Sequence, residues 1–199
     1  MRDGNTVANI IMGVLERELQ LPTGSLTSLH RTTARSSDFL RVLRYPKFVP
    51  GKSLNRPGFP PHRDAVSVAI LFTWLGGLQI LMPNAEMIDK DTETEESWRW
   101  EKPLPGHAIV NLGDALQILS NNVLKSGKHR VVKAPGPQAG FDRYSVLLGT
   151  RPANDTPMTA LKSPRIPAYT PEQAKAKLVD AQQWGANSVR KVLSVMEKK

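Results

Sequence analysis

The sequence predicts a mainly β domain, a sandwich or barrel of which the jelly roll is one type, flanked by a helix at each end. Three observations predict it. Between Phe39 and Gly149, short apolar runs recur at near-regular spacing, parted by Gly, Pro and Asn. Before them, apolar residues repeat at the helical period. After Arg151-Pro152 the composition turns Pro-rich and then helix-like again. A chain of 199 residues is long enough for one domain whose core needs no disulfide.

Residues 6–21 read as an amphipathic helix. Val7, Ile10, Ile11, Val14 and Leu15 fall at i, i+3, i+4, i+7 and i+8, with Thr6 as N-cap and Pro22 as terminator. Phe39–Tyr45 reads as a short strand stopped by Pro46, and 46–61 as a Pro/Gly-rich loop. Runs 66–72 and 78–82 are strands joined through a turn at Gly76-Gly77. The polar, acidic stretch 84–97 reads as an exposed loop. Further strand-like runs cover 108–112, 116–119, 128–133 and 143–149. Residues 152–168 then wrap the surface. Thr170-Pro171-Glu172-Gln173 has the make-up of a helix start, with a capping threonine, a first-turn proline and glutamine at the third position. From it a helix marked by Ala174, Leu178, Ala181 and Val192 runs towards the C-terminus, broken at Gly185. The expected division is a helical flank over 1–38, a β-core over 39–152 and a wrap with helix over 153–199.

Composition narrows the function. The chain has no cysteine, so thiolate ligands and thiol nucleophiles are excluded and no oxidising compartment is needed. The opening M-R-D-G-N-T lacks the apolar stretch of a secretory signal, and the apolar runs are too short to cross a bilayer. A soluble, cytoplasmic protein without membrane partners is expected. The formal charge is +9, but its basic residues are spread from Arg2 to Lys199, and a compact acidic run lies at 89–96. No dense basic run with interleaved aromatics points to nucleic acid. Part of the positive charge is expected to attract small anionic molecules.

There are four histidines, His30, His62, His107 and His129. His62 and Asp64 are separated by one residue, so in an extended chain both side chains point to one face. An imidazole and a carboxylate there offer two adjacent ligands to a divalent metal. A third from another strand would complete a facial triad with open positions, the arrangement of non-haem Fe(II) oxygenases. His129, in the run 128–133, fits that place better than His107, which follows a Pro-Gly turn. His30 and His107 are given no metal role.

The string P-H-R-D-A-V-S-V-A-I-L-F-T-W-L-G-G-L-Q-I resembles the H-x-D region of the isopenicillin N synthase-like 2-oxoglutarate/Fe(II) dioxygenases. P-L-P-G-H-A-I-V-N-L-G-D-A-L-Q-I-L-S-N-N-V-L-K-S-G-K-H-R-V-V is similar to the segment ending at that family's distal histidine, and D-R-Y-S-V resembles its Arg-x-Ser motif. The phrasing is especially like fungal members. The resemblance implies a double-stranded β-helix (jelly-roll) core. It implies His62, Asp64 and His129 as Fe(II) ligands, Arg143 and Ser145 as the pair for the far carboxylate of 2-oxoglutarate, and Tyr45 as a further contact to that co-substrate. A guanidinium and a hydroxyl two residues apart on one strand face suit a carboxylate. The implied reaction consumes O2 and 2-oxoglutarate, releases succinate and CO2, and hydroxylates or desaturates a small organic substrate of specialised metabolism. Gly76, Gly77, Gly106, Gly113 and Asp114 match the same strings and read as turn residues.

Three departures stand out. The family usually carries a long region before the equivalent of Val7, so the chain reads as N-terminally shortened. Leu43 stands where many relatives have asparagine, and Ala69 where many have threonine. Arg63, between the two candidate ligands, is expected to point away from the metal. Other readings are an oxidase of the same fold that does not use 2-oxoglutarate, a non-catalytic remnant or interaction module, and a cupin-like metal-binding protein.

Overall fold

The computed structural model describes residues 2–47, 58–82, 97–175 and 178–197. Its centre is two four-stranded antiparallel sheets facing each other, the jelly-roll arrangement expected. The larger sheet has the order β1 (Phe39–Tyr45), β8 (Arg143–Thr150), β3 (Val68–Thr73), β6 (Ile109–Leu112). The smaller has the order β2 (Phe59–His62), β7 (His129–Val131), β4 (Leu78–Leu81), β5 (Trp98–Trp100). Helix α1 (Arg2–Glu18) lies on the outer face of the larger sheet.

The register of the larger sheet decides which residues meet. Tyr45 pairs with Arg143, Leu43 with Ser145 and Arg41 with Leu147. Ala69 pairs with both Gly149 and Asn111. Because side chains alternate, Arg41, Leu43, Tyr45, Arg143, Ser145, Ala69 and Asn111 all line the space between the sheets. Val68, Ile70 and Leu148 turn outward, into a core shared with α1.

Helix α1 starts earlier than expected and buries a different stripe. Ala8, Met12 and Glu16 face inward, with Ile11 and Leu15 packed against the same core. Val7, Ile10 and Val14 are exposed. The apolar band of this helix is wide, so periodicity alone leaves its rotation open. Glu16 settles it. Its carboxylate accepts the backbone N–H groups of Gly24, Leu26 and Thr27 at 3.0, 2.7 and 2.8 Å, which turns the 8–12–16 stripe towards the sheet.

The run 116–119 is helical, not a strand. It forms α2 (Asp114–Leu119), which buries Ala115, Leu116 and Leu119. A short apolar run between turn signals does not distinguish the two by itself. Strand β2 lies inside the stretch read as a Pro/Gly-rich loop. As an edge strand with an irregular register between Phe59 and His62, it tolerates Pro60 and Pro61. Strand β5 is the opposite edge and follows the acidic stretch. Positions 48–57 of the Pro/Gly-rich loop and 84–96 of the acidic loop lie outside the described residues.

At the C-terminal end, α3 (Pro171–Ala174) carries the expected capping box between Thr170 and Gln173. The second helix, α4 (Ala181–Glu197), runs through Gly185 without a break. The interruption comes earlier, and Asp180 restarts the helix by accepting from the Gln183 backbone N–H at 2.8 Å. Ala181, Met158 and Trp184 pack against α2. Among the described residues no helix is long and apolar enough to cross a membrane.

Candidate metal centre

His62 ends β2 and His129 opens β7, and the two are directly paired across the smaller sheet. Asp64 lies two residues beyond β2. Together they form the one three-residue group of potential metal ligands among the described residues, with ligand atoms within 4.8 Å of one another. His62 Nε2 is 3.4 Å from Asp64 Oδ1, and His129 Nε2 is 3.6 Å from Asp64 Oδ2. The imidazole rings are 4.2 Å apart.

Both rings are oriented alike. His62 Nδ1–H donates to the Pro60 carbonyl at 2.9 Å, and His129 Nδ1–H to the Gly127 carbonyl at 3.0 Å. A carbonyl only accepts, so Nδ1 carries the proton and the Nε2 lone pair faces the centre. Burial lowers the His129 pKa, with His62 acting in the same direction and Asp64 against it. Asp64 shows the reverse balance. Burial opposes its charge, but the neighbouring His62 and His129 imidazoles and the Asn111 amide hold it below the usual carboxylate range. A neutral imidazole and an ionised carboxylate are the forms that bind a metal.

Two supporting residues escape a reading of the sequence. Asn111 Nδ2 donates to Asp64 Oδ2 at 3.0 Å. The one signal for it is a polar residue inside the otherwise apolar strand I-V-N-L. Gly113, read as a turn residue, caps α2 with a φ of −103°. Its distinction is crowding, because a Cβ there would collide with the backbone carbonyls of Val66 and Asp64. The amides at the start of α2 bind that same segment: Gly113 N–H to Ser67 O, Asp114 N–H to Asp64 O and Ala115 N–H to Val66 O, at 3.0, 2.9 and 3.1 Å.

The space between the sheets is a cavity of about 670 Å³ lined by the triad and by Tyr45, Arg143 and Ser145. Arg143 is 4% exposed and Ser145 2%. Arg143 Nε–H donates to the Gly76 carbonyl at 3.0 Å, and its guanidinium lies 5.1 Å from the centre of the Tyr45 ring. Its Nη2 is buried with no hydrogen-bond partner among the described residues. Burial makes this arginine a weaker base than usual, with Tyr45 acting in the other direction. Burial also raises the Tyr45 pKa, against the pull of Arg143, so the phenol keeps its proton. A buried, unpaired cationic donor lining the cavity fits an anionic ligand.

The other two histidines and Arg63 are not part of the triad. His30 is a structural residue, bridging Leu26 O and Ser67 Oγ at 2.8 and 2.6 Å. His107 lines the cavity, but its Nδ1–H donates to Pro105 O and it is not one of the three grouped ligands. Arg63 points away from the centre and donates from Nε to Ser126 O at 3.0 Å.

The fold is similar to solved structures that hold the co-substrate. The chain superposes on a full-length Neurospora crassa protein in complex with alpha-KG with a TM-score of 0.74 at 22% identity, covering 90% of this chain and 52% of that one. With JOX2 in complex with 2OG, Fe and JA the TM-score is 0.65 at 28% identity, covering 89% and 47%. In sequence it is 51% identical to a 2-oxoglutarate-dependent dioxygenase of Aspergillus fumigatus, over 95% of this chain and 51% of that protein. It is 34% identical to another from Amanita muscaria, over 78% and 64%. The chain thus spans about half to two thirds of the length of these two relatives. Residues 37–152, which hold both sheets, the triad and Arg143, match the model of one family. That match covers more than half of the sequence, and the chain belongs to the 2OG-Fe(II) oxygenase superfamily.

Proposed function

We propose that the protein is an Fe(II)- and 2-oxoglutarate-dependent dioxygenase that oxidises a small organic substrate. His62, Asp64 and His129 hold the iron. Arg143 and Ser145 hold the far carboxylate of 2-oxoglutarate, and Tyr45 borders it. The observation that carries the reading is the buried, unpartnered Arg143 Nη2 in the same cavity as three correctly oriented metal ligands. This combination favours use of 2-oxoglutarate over a same-fold oxidase that lacks it. The completeness of the triad favours catalysis over a non-catalytic remnant.

Bound Fe(II) supplies the redox chemistry, coupling O2-dependent decarboxylation of 2-oxoglutarate, with release of succinate and CO2, to hydroxylation or desaturation of a C–H bond. The protein's part is geometry and exclusion of water. The Pro60 and Gly127 carbonyls fix the tautomers of the two histidines. Asn111 fixes the carboxylate. Arg143 and Ser145 set the distance of the co-substrate's far end from the metal, and the apolar walls shield the reacting centre. The Aspergillus and Amanita relatives support a fungal-type member; from the motif strings we read it as isopenicillin N synthase-like and acting in specialised metabolism. The lack of cysteine fits a cytoplasmic setting.

Anaerobic titration of Fe(II) and 2-oxoglutarate tests the proposal through the weak visible charge-transfer band of the chelate. The band is expected only when both are present. It should vanish in His129→Ala and require much more 2-oxoglutarate in Arg143→Ala. A wild-type protein without the band overturns the function, and a band unchanged in either variant overturns the residue roles.

A further inference from the structure

We propose that Arg151 is a positioning residue of the metal centre, holding the segment that carries Asp64 and joining it to the C-terminal helix α4. This rests on the reading of His62, Asp64 and His129 as metal ligands and adds a residue that acts through one of them.

Asp64 lies in no strand, since β2 ends at His62 and β3 begins at Val68. Its place depends on how residues 64–67 are held, and four successive carbonyls do the holding. Asp64 O accepts from Asp114 N–H at 2.9 Å, Val66 O from Ala115 N–H at 3.1 Å and Ser67 O from Gly113 N–H at 3.0 Å. Those three grips come from backbone amides at the start of α2, and so depend little on side-chain identity. The remaining one comes from a side chain. Arg151 Nε–H donates to the carbonyl of Ala65, the residue next to the ligand, at 2.7 Å. A hydrogen bond from a charged donor is among the stronger kinds.

Arg151 is itself fixed from several sides. Its backbone N–H donates to Asp38 Oδ1 at 2.6 Å, and its guanidinium lies 5.5 Å from the centre of the Phe39 ring. Its Nη1 lies against α4, 3.5 Å from where a Cβ on the buried Gly185 would stand. Charge favours the same place: Asp38 and Asp64 attract the guanidinium, while Arg41 opposes them. The planar fork of an arginine lets Nε serve a carbonyl while Nη1 rests on the helix. Helix α4 also reaches the ligand segment by a second route. Ala181 and Trp184 pack with Met158 against Ala115, whose amide holds Val66 O. The C-terminal helix thus braces the Asp64 segment through Arg151 on one side and through α2 on the other.

Co(II) tests this, because its visible d–d bands report the geometry of its ligands and its titration gives an affinity. The full chain is compared with Arg151→Met, which removes the donor and the charge, and with Arg151→Lys, which keeps a charged donor. Arg151→Met is expected to bind Co(II) about tenfold more weakly and to shift the bands. Arg151→Lys should recover most of the affinity. Arg31→Met, which breaks only the exposed pair with Asp155, should match the wild type. A purely structural role for Arg151 would lower the melting temperature and leave affinity and bands of the folded protein unchanged, and that result overturns the inference. An equal loss in Arg151→Lys or in Arg31→Met also overturns it. Should Arg151→Met fail to fold, Gly185→Leu displaces the guanidinium from the α4 side and must shift the bands; an unshifted spectrum overturns the proposal. A wild type that takes up no Co(II) overturns the metal-ligand reading and this one with it, whereas unaltered binding in the Arg151 variants overturns this one alone.

Discussion

Asn111 donates to the oxygen of Asp64 that also faces His129, so it steadies the ligand that lies between the two imidazoles. Groups of this kind typically carry roughly 10- to 100-fold in metal affinity. Asn111→Ala is expected to weaken Mn(II) binding, measured by calorimetry as an air-stable surrogate, by about that factor with little change in melting temperature. Titration is a second residue-scale property. Burial is the main cause that lowers the pKa of both His30 and His129 from the ordinary 6.5. As the pH falls below that value, the unfolded chain takes up protons before the folded one. The metal-free protein should therefore be at full stability above about pH 6.5 and lose stability as the pH falls below that value. Glu16 and Asp64, held below their ordinary values of 4.5 and 3.8, add a separate loss only at lower pH. Melting temperature against pH, compared with His30→Gln, checks this: the variant's decline should be shallower. The triad itself is legible in the sequence because one intervening residue and the pleat of an extended chain place His62 and Asp64 together. Asn111 is not, because its value depends on a register between β3 and β6 that no local pattern reveals.

At the scale of elements, α2 and α1 each act on something other than their own packing. The first amides of α2 grip the carbonyls of the segment carrying Asp64, and Gly113 permits the approach. Gly113→Ala forces two backbone carbonyls apart. It is expected to cost about 2–4 kcal/mol of stability and, unlike Asn111→Ala, to lower melting temperature and metal affinity together. Glu16 ties α1 to the turn that follows it. Glu16→Ala strands three amide donors that now meet a charged acceptor, and should cost about 2–4 kcal/mol in chemical denaturation while leaving metal affinity intact in the folded fraction. These elements also mark the limits of sequence reading. β1 and the capping box at Thr170 are readable from local chemistry. The rotation of α1 is not, since it depends on where a buried carboxylate finds its donors 8 to 11 residues on. Leu116–Leu119 misleads because a short, mostly apolar run satisfies a strand and a helix equally well.

Across the whole molecule, the site is divided between the two sheets. His62 and His129 belong to the smaller, whereas Tyr45, Arg143, Ser145 and Asn111 belong to the larger. A ligand joining the metal to Arg143 therefore spans the sandwich. Metal and 2-oxoglutarate added together should raise the melting temperature by more than the sum of their separate effects, measured with Mn(II) under thermal ramp. Additive shifts would show that they bind independently. Such a division was readable only in part: the motifs name the residues, but which sheet each joins follows from non-local pairing. Strand β1 has a ladder on one side only among the described elements. Its even and odd positions serve different masters, Arg41 and Leu43 facing the cavity while Leu40 and Val42 face outward. Exchanging 41 or 43 can change what the cavity admits without breaking a rung of the ladder or disturbing a histidine on the opposite sheet. Descendants of such a chain can drift to new diets through alternate letters of one edge strand, while the part that grips the metal is inherited unchanged.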